Sequence, residues 1–159
     1  MLSTILGEEE RDSDTRQYLY MLIIGIILAE VILILFAKLG SIDTFLILLC
    51  IFAQINLIYS MEMDKIEQIS HSHFAFGASL IIIPLLSENI WFLSIVITII
   101  MVTLVFRKKN GECPLTTFDK NVVDYSFGER IDWDWMYTLF GMVALAKIIY
   151  VYHKVAKTN

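Results

Sequence analysis

Long apolar runs broken by short polar clusters set the pattern of this chain. Residues 18–37, 44–61, 74–106 and 135–152 are apolar on every side and nearly free of charge. A helix packed in water shows a one-sided stripe instead. A helix rises about 1.5 Å per residue, so crossing a hydrocarbon core about 30 Å thick takes about 20 residues. The first, second and fourth runs approach or reach that length, and the third is long enough to cross twice. The pattern therefore predicts an all-α integral membrane bundle of five transmembrane helices, with four as the alternative.

The polar breaks define the turns. Lys38 to Asp43 reads as a turn with a helix stop at Gly40 and an N-cap at Asp43. Glu62-Met63-Asp64-Lys65 closes the second run. Residues 74–86 alone are too short to span, but a start near Ile66 takes in Gln68, Ser70, His71 and Ser72 and restores full length. Pro84 with Ser87-Glu88-Asn89 then predicts a tight turn, because proline disfavours helix before it and Ser and Asn favour caps. Residues 90–106 return across, stopped by Arg107-Lys108-Lys109-Asn110-Gly111. Trp133, Trp135 and Tyr137 at the mouth of the last run form an interfacial aromatic belt.

Basic residues choose between five spans and four. Five spans gather eight on one side (Arg11, Arg16, Lys65, Arg107, Lys108, Lys109, Lys120, Arg130) against three on the other (Lys38, Lys154, Lys157). Four spans give five against six, with no bias. The positive-inside rule thus favours five, with the N-terminus on the cytoplasmic or equivalent side and the C-terminus opposite. The domain plan is an acidic N-terminal tail (1–17), a bundle (18–152) with a surface loop at 107–134, and a short tail (153–159).

Composition agrees with this plan. Of 159 residues, 57% are hydrophobic and mean hydropathy is +0.68. The net charge of −5 argues against nucleic acid as a partner. The acidic opening segment lacks the basic start and small-x-small site of a cleavable signal, so the first run reads as a retained signal-anchor. Met1-Leu2 excludes N-myristoylation. Cys50 and Cys113 form neither a C-x-x-C pair nor a Cys/His ligand set, so no zinc site, dithiol centre or cofactor is expected.

Lipid makes buried polar residues expensive, so each points to a partner or a water path. Glu30 in the first run and Lys147 in the last lie at matching depth in the five-span topology. Their opposite signs predict a structural intramembrane ion pair, direct or through water, with a relay as the functional alternative. Gln54 and Asn56 near the end of the second run and Ser70, His71, Ser72 and His73 near the start of the third predict an interhelical polar cluster. His71 and His73, two residues apart, point to different helix faces and cannot share one ion without a local break. Gly25 with Ala29, and Ala75 with Ser79, are weak small-x-x-x-small signals.

The loop before the last run carries Cys113-Pro114-Leu115-Thr116 followed by Asp119. It resembles the C-P-L-T-x-x-E/D signature of small multi-pass membrane proteins of unknown function in bacteria, with similar patterns in large DNA viruses and some eukaryotes. His73-Phe74-Ala75-Phe76 stands where that family places a similar helix start. The resemblance covers roughly Ser72 to Asp119, and the family's basic stretch after the motif is replaced here by Asn121-Val122-Val123-Asp124. The resemblance implies a multi-pass topology and a fixed structural place for Cys113, and no activity. The residues themselves predict a short surface helix capped by Thr116 or Thr117 and running through Val123, apolar face down.

No catalytic set, metal box or ion filter stands out, and the chain reads as a non-enzyme. The expected role is structural or accessory: packing against partner subunits or tethering an assembly to a bilayer, as in a respiratory complex or a membrane-containing virion. The alternative is a small transporter or channel lined by Glu30, Lys147, Gln54, Asn56 and His71.

Overall fold

The structure is a computed structural model that describes residues 2–110 and 132–157. Five helices follow in order: α1 (Leu2–Phe36), α2 (Ser41–Glu62), α3 (Ile66–Leu86), α4 (Ile90–Asn110) and α5 (Trp133–Ala156). Each contains a stretch long and apolar enough to cross a membrane: Arg16–Phe36, Ser41–Glu62, Ile66–Leu86, Ile90–Lys109 and Asp134–Ala156. The third apolar run is thus two helices. The backbone of α1 continues as helix through most of the acidic stretch assigned to a tail. The Cys113–Thr116 motif and the expected surface helix lie outside the described residues.

The helices close into a ring in which α1 packs on α2, α2 on α3, α3 on α5, α5 on α4 and α4 back on α1, with α3 also meeting α4. Ion pairs mark the two ends. Arg16 pairs with Asp64 and Arg107 with Asp134 at one end, here the Arg16 end. Lys154 approaches Glu88 to 3.6 Å at the other, the Glu88 end. The first span therefore begins and the last one finishes at opposite ends of the bundle.

Two apolar clusters fill the interior. One, around Ile47, Ile83, Phe92 and Val96, occupies the Glu88 half. The other, around Leu19, Leu57, Met61 and Ile69, sits towards the Arg16 end. The outer surface is apolar as well: Leu28, Phe45, Phe52, Leu85, Met101 and Leu145 are all more than half exposed. In water this would be a liability; in lipid it is the ordinary solvent contact.

The turns follow the polar breaks, with three differences. Asp43 does not cap α2. Gly40 takes the capping position in extended conformation (φ −72°, ψ 162°) and its carbonyl accepts from Thr44 N at 2.9 Å. Asp43 lies inside the first turn, where a carboxylate faces the positive end of the helix dipole. Pro84 does not begin a turn, since α3 runs through it to Leu86. A proline near a helix end forfeits only one backbone bond, and the break comes at Ser87. There Asn89 N donates to Ser87 Oγ (3.1 Å), and Asn89 Oδ1 caps α4 by accepting from Phe92 N (3.0 Å). Tyr137 is not part of an aromatic belt: it is buried, whereas Trp135 is 60% exposed. At the turn after α2, Asp64 adopts a left-handed φ of 48°, a conformation Asp tolerates better than most residues.

The α4 cap gives a direct test. Asn89→Ala should lower stability by about 1 kcal/mol, read as a lower midpoint in thermal unfolding in detergent; an unchanged midpoint contradicts the cap.

Candidate functional site

Glu30 is the residue lipid should tolerate least, and it is only 2% exposed. It lies about 20 Å into α1 from Arg16 at about 1.5 Å per residue. Its partner comes from the neighbouring helix: Gln54 Nε2 donates to Glu30 Oε2 at 3.1 Å and to Oε1 at 3.2 Å. Gln54 is itself 3% exposed, and with its amino group on the carboxylate, its Oε1 is buried without a protein hydrogen-bond partner.

Lys147 does not pair with Glu30. Its Nζ donates to Leu85 O at 2.7 Å. The reason lies in the turn after α3. Asn89 N, which would continue the helical pattern onto Leu85 O, turns instead to Ser87 Oγ. The exposed carbonyl sits at the negative end of the α3 dipole, where a cation is favoured. Lys147 extends along its apolar stem to reach it. Depth along the membrane matched, but α1 packs on α2 and α4, whereas α5 packs on α3 and α4.

The expected polar cluster divides between two faces. Asn56 Nδ2 donates to Ser72 Oγ at 2.8 Å, joining α2 to α3. Asn56, His71 and Ser72 line a groove of about 440 Å³ on the outer side of that helix pair. Gln54 and His73 turn inward. With Thr103 of α4 and Tyr137 of α5 they line a chamber of about 50 Å³, closed by Leu19, Leu22, Ile23 and Ile26 of α1. All five helices contribute to its wall. The two histidines thus face opposite ways, as their spacing requires.

Sequence reasoning missed Thr103 and Tyr137. Thr103 stood in a uniformly apolar run, and Tyr137 was assigned to the interface by its neighbours Trp133 and Trp135. A Cβ at Gly77 would lie in ordinary contact with Tyr137 Oη (3.6 Å), which sets the phenol against α3, and no residue pattern in the sequence marks that approach. Among the described residues, no three His, Cys, Asp or Glu side chains gather as a metal-ligand set.

No family model, curated protein or solved structure matches the chain. The resemblance through His73-Phe74-Ala75-Phe76, Cys113-Pro114-Leu115-Thr116 and Asp119 therefore rests on those residues alone, and the site must be read from its own geometry.

Two outcomes follow from that geometry. Gln54→Leu should destabilise the bundle by about 2 kcal/mol, the usual cost of removing a partner from a buried charged group, and Glu30→Leu in the same chain should restore part of the loss. Conversely, exchanging charges through Glu30→Lys with Lys147→Glu should give no more folded protein than either single change. Recovery in the exchanged variant would restore the ion pair that the structure replaces.

Proposed function

We propose that the chain is a structural or accessory membrane protein that packs against partner transmembrane helices and tethers an assembly to a bilayer. The observation that carries this reading is the outer groove between α1 and α4. The two helices meet where Tyr18 stacks on Phe106, ring centroids 6.1 Å apart. Beyond that contact lies a groove of about 840 Å³, lined along α1 from Met21 to Phe36, by Ala37 just past its end, and along α4 from Trp91 to Val102.

Small residues form much of its floor. Gly25 and Ala29 face it from α1, Ser94 and Thr98 from α4. A Cβ added at Gly25 would meet nothing within 4 Å, so the α1 backbone is open to an approaching helix. Helices in lipid gain little from apolar burial and associate through close packing, which small residues permit. The groove hydroxyls are already occupied, Ser94 Oγ on Ile90 O (2.8 Å) and Thr98 Oγ1 on Ser94 O (2.9 Å). What the surface offers is shape, and a partner helix is the occupant that uses shape.

The transporter alternative needs one lined path. Glu30 and Gln54 lie in the interior, Lys147 at the end of α3, and Asn56 and His71 on an outer groove. Apolar side chains fill the Glu88 half. We place the Arg16 end in the cytoplasm or its equivalent; support comes from the clustering there of Arg16, Lys65, Arg107, Lys108 and Lys109.

Membranes containing the protein, solubilised in mild detergent, provide the test. The wild-type chain should migrate in an assembly much larger than itself, and Gly25→Leu with Ala29→Leu should cut the assembled fraction about tenfold, equivalent to about 1.4 kcal/mol, at unchanged folded yield. Migration of the wild type alone, or an assembly indifferent to the filled groove, contradicts the proposal.

A further inference from the structure

The central chamber carries an inference independent of the outer groove. We propose that Glu30, Gln54 and the chamber beside them form an occluded proton-binding site inside the membrane, loaded from the Arg16 end.

Three observations point to a ligand there. First, Glu30 is buried with an amide as its partner, and no Lys, Arg or His among the described residues lies within ion-pair distance of it. A carboxylate in hydrocarbon without a cation is costly, and binding a proton removes that cost. Second, Gln54 Oε1 is buried, lacks a protein donor and belongs to a side chain on the chamber wall. Third, a chamber of about 50 Å³ has room for about three waters, each needing roughly 10–15 Å³, and Thr103 and Tyr137 supply hydroxyls to hold them.

The chemistry balances with one proton and no electrons. Glu30 stands behind Gln54, which is the residue on the chamber wall, so the Gln54 side chain swings aside, a hydrated proton from the chamber transfers to a Glu30 oxygen and water is left behind. The Gln54 amide then turns over: its Oε1 accepts from the new Glu30 O–H, and its Nε2 donates to chamber water. In either state the glutamine has a partner on both sides, which an ordinary structural hydrogen bond does not provide. Loading comes from the Arg16 end because the chamber lies in that half: Tyr137 is one helical turn from Asp134, and Thr103 is one turn from Arg107. The cluster of Leu19, Leu57, Met61 and Ile69 must part to admit the proton. The opposite exit is filled by Ile47, Phe92 and their neighbours.

Other titratable groups face this unit. Cys50 of α2 lies one helical turn from Gln54 on the same helix face. His73 of α3 and Tyr137 of α5 line the chamber, and α4 contributes Ile99 and Thr103, neither titratable. The measurement must therefore report on Glu30 itself. Infrared difference spectra of the full chain in phosphatidylcholine vesicles, recorded between acid and alkaline buffers, resolve a protonated carboxyl by its C=O stretch. The expected result is a carboxyl band that grows on acidification, shifts in D₂O and is lost in Glu30→Gln. Gln54→Leu should keep the band but move its frequency and its titration midpoint, which also serves if Glu30→Gln does not fold. Two results would overturn the proposal: spectra identical in wild type and Glu30→Gln, or a band from Glu30 that changes with neither pH nor D₂O. The same holds if neither frequency nor midpoint moves in Gln54→Leu.

Discussion

The chain's medium is lipid, and that constraint governs every other feature. With no water to accept a stray donor, backbone and side-chain polar groups in the spans are driven to partners within the protein, and a buried atom left without one, as Gln54 Oε1 is, stands out. The apolar surface is therefore free to face outward, and the polar groups are drawn inward or to the ends. Ser60, Ser70, Ser79, Ser94 and Thr98 all bond back to carbonyls of their own helices. Asn56 finds Ser72 across α2 and α3. Glu30 finds Gln54, and Lys147 finds the carbonyl left exposed where α3 ends.

Polar pairings also determine how the helices associate. Apolar side chains can rotate or slide past one another in lipid at little cost, whereas a misplaced glutamate cannot. The Glu30–Gln54 contact fixes the register of α1 against α2 near mid-membrane, and Arg16 fixes it again at the end by bonding Met61 O and Asp64. Arg107 and Asp134 do the same for α4 and α5. Between these points, apolar clusters supply the filling.

Much of the fold was legible in the sequence because bilayer thickness and turn chemistry are one-dimensional. The start of α3 at Ile66, the break at Ser87-Glu88-Asn89 and the odd number of crossings follow from run length, caps and charge. Faces and neighbours are not one-dimensional. Depth placed Glu30 opposite Lys147, but only the packing order shows that α1 packs on α2 and α4 while α5 packs on α3 and α4. Tyr137 looked interfacial from its neighbours, yet its own position on the helix turns it inward. Asp43 looked like a cap because Asp commonly caps; Gly40 took that place because the chain was already extended there. The candidate site was half visible: Gln54 and His73 stood out as polar residues in apolar runs, while Thr103 and the inward Tyr137 emerged only once five helices enclosed a common space.

The most direct measurement of the account is the sidedness of the two chain ends. Epitope tags at the N- and C-termini, probed with impermeant antibody on sealed vesicles of one orientation, should answer from opposite faces, and permeabilisation should reveal the hidden one. Two tags reached together from one face would leave an even number of crossings, and the Glu30–Gln54 contact would lose the membrane interior on which its meaning depends.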